Sequence, residues 1–113
     1  MYNYYGKLIK VVDGDTIDVE VDLGFHTCVK ERLRLADIDT PEVYGKNASP
    51  EGTVAKNYVI NALTDKLLRI ETFKDRTGKY GRFLALVYYQ SDNRWINLND
   101  ELIEKGLAKP YEW

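Results

Sequence analysis

Three short stretches of this chain carry residue types suited to chemistry rather than packing. The first is Val12-Asp13-Gly14-Asp15-Thr16, with two carboxylates on either side of one glycine. Asp-Gly is also a strong tight-turn signal, so taken alone the stretch needs no more than a hairpin. It does not fit the calcium loop of an EF-hand. Ile17 stands where another Asp or Asn is required, and no glycine or closing Glu follows at the right spacing. The second stretch is Arg34-Leu35-Ala36-Asp37-Ile38-Asp39-Thr40-Pro41-Glu42. Crowding Asp37, Asp39 and Glu42 together is unfavourable unless a cation or an arginine shares the site. Pro41 holds Thr40 extended and stops the strand from continuing as a paired one. The third is Arg76-Thr77-Gly78-Lys79-Tyr80-Gly81-Arg82, a basic glycine-bearing turn that could equally be a solvated hairpin.

Several other chemistries lack their residues. Cys28 and His26 are the only cysteine and histidine, so no internal disulfide can form. Zinc usually requires three or four N/S ligands, and a thiol nucleophile requires partners that are missing here; Cys28 therefore reads as structural. His-based acid–base catalysis is not expected from His26. Composition, at 44% apolar and 30% charged, fits a soluble globular protein, and 113 residues correspond to one domain over 1–113. No run approaches the roughly 20 apolar residues of a membrane span. Met1 to Tyr5 has neither the basic start nor the apolar stretch of a signal peptide, so a cytoplasmic protein is expected, with a mature secreted form as the alternative. The net charge of −2 argues against a polyanionic partner. The charge is uneven, however. Asp13, Asp15, Asp18, Glu20 and Asp22 form an acidic stretch that a divalent cation would offset, whereas Lys74, Arg76, Lys79 and Arg82 form a basic one.

The elements that would position these residues can be read from periodicity. Leu8 to Val12 is a short apolar run that reads as a strand. Thr16 to Leu23 alternates, with Ile17, Val19, Val21 and Leu23 on one face, and joins that strand through Asp13-Gly14-Asp15. Cys28 to Ile38 reads as a third strand, with Leu33 and Leu35 opposite Arg32 and Arg34. Ser49-Pro50-Glu51 begins a helix with an N-cap serine, a first-turn proline and an acid. Val54, Tyr58, Val59, Ala62 and Leu63 follow at helical spacing. Leu67 to Phe73 and Phe83 to Tyr89 read as the fourth and fifth strands. Asn97 caps a last helix, which buries Leu98, Leu102 and Ile103 and stops at Gly106. The expected fold is mainly β with helices (α+β): an OB-fold, with a five-stranded Greek-key barrel, a helix between strands three and four, and a C-terminal helix.

Taken together, Asp13-Gly14-Asp15-Thr16, Arg34 through Asp39-Thr40-Pro41-Glu42, and Lys79-Tyr80-Gly81-Arg82 resemble the staphylococcal (micrococcal) nuclease family. Asn97, Leu102-Ile103 and Gly106-Leu107-Ala108-Lys109 resemble its closing helix and the turn after it. The ordered match runs from Val11 to Lys109. The resemblance implies a Ca²⁺-dependent endonuclease acting on DNA and RNA and leaving 3′-phosphates. It implies that Asp15, Asp39 and the Thr40 carbonyl hold one Ca²⁺, with Asp13 supporting them from behind. Glu42 would activate or orient water, and Arg34 and Arg82 would grip the phosphate. Lys79 and Tyr80 would contact the substrate's terminal phosphate and sugar, and Tyr111 lies near the family's base-stacking aromatics. Calcium takes about 6–8 oxygens, so three protein ligands leave room for water and phosphate. A phosphodiester anion repels nucleophiles, and one dication with two guanidiniums would neutralise it.

The implied partner is a single-stranded or frayed nucleic acid, DNA or RNA, with no membrane and a monomeric chain. Two of the departures from the family bear on how substrate binds. The stretch between Glu42 and Ser49 is short, which implies altered substrate access. The pI of about 5.4 is acidic, which implies weaker binding of long nucleic acids and a shallower salt dependence. The alternative is a nuclease-like OB-fold module that is catalytically weak or inactive and binds single strands or a protein partner. The survival of Asp15, Arg34, Asp39, Glu42 and Arg82 favours the enzyme.

Overall fold

Strand β1 (Tyr2–Asp13) turns tightly through Gly14 into β2 (Thr16–Asp22), and an exposed turn around Phe25 leads to β3 (Cys28–Leu35). The short strand β4 (Ile38–Asp39) precedes helix α1 (Pro50–Leu63), after which come β5 (Leu68–Thr77), β6 (Phe83–Ser91) and β7 (Arg94–Asn97). Helix α2 (Leu98–Glu104) and strand β8 (Lys109–Pro110) complete the order. This computed structural model describes residues 2–46, 48–77 and 83–111, with the backbone alone at 74–77.

The sheet runs β3-β2-β1-β5-β6-β7, and a parallel pairing of β3 with β6 closes it. Five strands, β1, β2, β3, β5 and β6, therefore form a closed barrel, with α1 between its third and fourth strands. This is the expected OB-fold. The alternation in β2 explains the inner face: Ile17, Val19 and Val21 join Leu33, Leu35, Ile70 and Val87 in one core. No described helix is long and apolar enough to cross a membrane.

Local signals account for both helix ends. The Ser49 side chain accepts from the Gly52 N–H at 3.3 Å, and the Asn97 side chain accepts from the Asp100 N–H at 3.1 Å. Gly106, at φ 73°, ends the turn after α2, where the Leu107 N–H donates to the Leu102 carbonyl.

Several elements differ from expectation, mostly because distant segments shape them. β1 begins at Tyr2 rather than Leu8, because Tyr2 to Gly6 pairs with β5. The crossing is close at Gly6, where an added Cβ would lie 2.6 Å from the Glu20 carbonyl oxygen. The strand expected to run to Ile38 breaks at Ala36 and Asp37. Asp37 is at φ 63°, and the Ala36 N–H turns to the Ala85 carbonyl. Asp tolerates this left-handed backbone better than most residues. β7 was not anticipated; Asp92 and Asn93, both at positive φ, make the tight turn that returns it along β6. On α1 the buried face is Gly52, Ala55, Val59 and Leu63, and Val54 points to solvent, as does Leu23 at the end of β2.

Asn99 locks α2 to the barrel. Its Oδ1 accepts from the Val87 N–H at 3.1 Å, and its Nδ2 donates to the Ala36 and Ala85 carbonyls at 3.0 and 3.1 Å. Asn99→Ala should cost about 3 kcal/mol, because it removes these bonds and strands buried backbone groups. Urea unfolding checks this, with a lower midpoint expected at unchanged m-value.

Candidate active site

Two arginines on one face of β3 have different environments. Arg32 is half-exposed and satisfied by Asp18, at 2.7 Å from Nε and 3.1 Å from Nη2. That pairing holds the Asp18 carboxyl below its usual range. Arg34 sits where β3 lies between Thr16 of β2 and Leu84 of β6, at the barrel's closure. Its side chain is only 13% exposed. Nη1 donates to the Leu35 carbonyl at 3.0 Å and lies 3.4 Å from Asp15 Oδ2, while Nη2 lies 3.4 Å from Asp39 Oδ1. One guanidinium thus bridges two aspartates that are distant in sequence.

Asp15 is held rigidly. It is 7% exposed; Oδ1 accepts from the Thr16 hydroxyl and Oδ2 from the Thr40 N–H, both at 3.1 Å. Gly14 lets the tight turn that presents it pack closely, because a Cβ there would crowd Ala55 Cβ and Thr40 Oγ1 at 3.0 Å. Asp39 is more open, with its side chain 57% exposed. Burial, and then the facing Asp15 charge, push its carboxyl above the usual value, and Arg34 and Lys109 oppose this. Asp13 Oδ1 accepts from the Val43 N–H at 3.3 Å, which pins the chain just beyond Glu42. Asp13, Asp15, Arg34, Asp39, Thr40, Glu42 and Tyr44 line one open cavity of about 330 Å³.

The donors available to a cation are all oxygens. The Asp15 and Asp39 carboxylates face each other next to Thr40, whose Oγ1 is buried without a hydrogen-bond partner. Among the described residues no three acidic, histidine or cysteine side chains form a ready-made metal cluster. A pair of carboxylates beside open space suits a hard ion that keeps water and substrate ligands, and it suits neither zinc nor copper. The residues present therefore fit a hard dication.

Seven of the residues expected from sequence fall together here. These are Asp13, Asp15, Arg34, Asp39, Thr40 and Glu42, joined by Tyr111, whose ring centroid lies 5.5 Å from the Arg34 guanidinium carbon. Lys79, Tyr80 and Arg82 lie outside the described residues.

Three neighbours were missed. Tyr44 lines the cavity, Lys109 pairs with Asp39 across β4 and β8, and Gly52 packs against the Glu42 backbone. Gly52 did carry a signal, since glycine inside a helix is costly without a packing reason.

The chain is similar to nucleases over nearly all of its length. A family model described as staphylococcal nuclease homologue matches residues 32–113. A thermonuclease of Staphylococcus hyicus is 34% identical over 105 residues, covering 91% of this chain and 57% of its own length. An endonuclease of Saprolegnia parasitica, Htp3, is 34% identical over 94% of this chain and 55% of its own length. An uncharacterized protein of Methanocaldococcus jannaschii is 33% identical over 96% of this chain and 60% of its own length. The chain thus spans under two thirds of the length of these relatives. The match to the family model covers well over half of the chain, and it accords with the closed barrel and the acidic centre beside Arg34: the chain belongs to the staphylococcal nuclease family.

Proposed function

We propose that this chain is a Ca²⁺-dependent endonuclease that hydrolyses phosphodiester bonds of DNA and RNA and leaves 3′-phosphate ends. The observation that carries this is the Arg34 guanidinium set between Asp15 and Asp39 in a cavity that also holds Glu42. Asp15, Asp39 and the Thr40 carbonyl would hold the ion, which when bound supplies positive charge against the phosphate and polarises it. Asp13 fixes the loop through Val43 and so keeps Glu42 facing the cavity. Arg34 offers N–H donors to phosphate oxygens as charge grows on them, already oriented by its bond to the Leu35 carbonyl. Glu42 takes the proton of, or orients, the attacking water. Arg82 is assigned the second phosphate contact, and Lys79 and Tyr80 the terminal phosphate and sugar, on their match to the family motif. Tyr111 lies against Arg34, where it can stack a neighbouring base.

Incubation of the purified chain with plasmid and single-stranded DNA tests this. Cleavage is expected in Ca²⁺, with its loss in excess chelator and its return on adding Ca²⁺. No cleavage under any of these conditions, or full cleavage in chelator, contradicts it.

A further inference from the structure

Tyr44 borders the acidic centre, yet none of the steps above uses it. It lines the same cavity as Asp39 and Glu42 and is 63% exposed. Its loop is anchored at both ends: the Glu42 carbonyl accepts from the Ser49 N–H at 3.0 Å, and Glu42 bridges to Ala48. From α1, the Lys56 ammonium lies 5.3 Å from the Tyr44 ring centroid and donates to the Tyr44 hydroxyl at 3.3 Å. One basic group thus sits at the hydroxyl edge of the ring, and most of the residue stays open to solvent beside the centre.

We propose that Tyr44 and Lys56 form a nucleotide subsite, in which the ring stacks the base next to the cleaved linkage and the ammonium meets the next phosphate outward. This rests on the nuclease activity proposed above and specifies the substrate further. Stacking needs a base with a free face, which a paired and stacked duplex does not offer, so the subsite selects single-stranded or frayed segments. An aromatic ring tolerates any base, which suits cleavage with little sequence preference. Lys56 adds a positive charge where the chain as a whole is acidic, with a net charge of −2. The competing account is that Lys56 only braces the 42–48 loop through the tyrosine hydroxyl.

The test uses short single-stranded oligonucleotides with one cleavable linkage, with and without an abasic residue beside it, and with the next phosphate natural or replaced by methylphosphonate. In Ca²⁺, Tyr44→Ala should lower kcat/KM on the base-bearing strand by about tenfold, mainly through KM, in line with the loss of one stacked base. The abasic strand should show no such loss, and Tyr44→Phe and Tyr44→Trp should keep wild-type values. Lys56→Ala should lose efficiency only where the outer phosphate is charged. Equal losses with and without the base, or Tyr44→Phe as poor as Tyr44→Ala, would mean a brace and overturn the subsite. Failure of the wild-type chain to cut any of the strands contradicts the nuclease activity instead. The subsite is then decided by fluorescence anisotropy of the labelled strands in chelator, where equal affinities of wild type and Tyr44→Ala for the base-bearing strand overturn it.

Discussion

Replacing Arg34 with lysine is expected to lower turnover on single-stranded DNA by about 10²–10³-fold, the usual cost of losing one positioned donor to a developing oxyanion. The charge would be kept, so the loss isolates geometry. Arg34 already spends one Nη1 bond on the Leu35 carbonyl and faces Asp15 and Asp39 through both Nη atoms. Only a planar fork with five N–H donors can hold these partners and still offer donors to a phosphate. A lysine ammonium is a single point on a longer, looser stem, and it would be drawn to one aspartate or the other. Steady-state kinetics on an oligonucleotide, with circular dichroism to confirm folding, checks this; wild-type turnover in a folded Arg34→Lys chain removes Arg34 from phosphate stabilisation.

Gly52→Ala should be as damaging, although Gly52 contacts no substrate. Within a helix, glycine to alanine ordinarily stabilises by about 0.5–1 kcal/mol. Here the added Cβ would lie 2.1 Å from the Glu42 carbonyl oxygen and 3.0 Å from that of Pro41. Both are backbone atoms, and they belong to the segment that carries Glu42 and follows Thr40. That segment must retreat by about an ångström, and a displacement of that size in a reacting group can cost about 10²-fold in rate. The change should therefore lower both activity and thermal stability, against the helix-propensity expectation. The neighbouring exposed Thr53→Ala provides the control. Cleavage rates and melting temperatures of the two variants check the prediction, and a more stable, fully active Gly52→Ala chain would refute it.

Much of the centre could be read from sequence because its residues sit on locally coded features. The Asp13-Gly14-Asp15 turn, the alternation from Ile17 to Asp22 and the Ser49 and Asn97 caps depend on neighbours within a few positions, and each appears as expected. What could not be read depends on distant pairing. β4 and β8 are two residues each and exist only because Ile38 and Asp39 pair with Pro110 and Lys109. The Tyr2–Gly6 half of β1 is held by β5, which lies more than sixty residues on. Arg32 and Arg34 have the same type, strand and face. Their difference comes from Asp18 opposite one and the aspartates Asp15 and Asp39 facing the other. Val54 looked like part of an apolar stripe, yet α1 turns Gly52 and Ala55 inward because the Glu42 loop and Gly14 approach too closely for larger side chains.

The proposed cation site can be measured without cleavage. Isothermal titration of Ca²⁺ into the wild-type chain and into Asp39→Asn should show one ion per wild-type chain, with affinity falling by more than about tenfold in the variant, since even residues behind the ligands typically contribute about 10–100-fold. No Ca²⁺ binding to the wild-type chain, or equal binding by the two proteins, would mean that Asp15 and Asp39 do not share an ion.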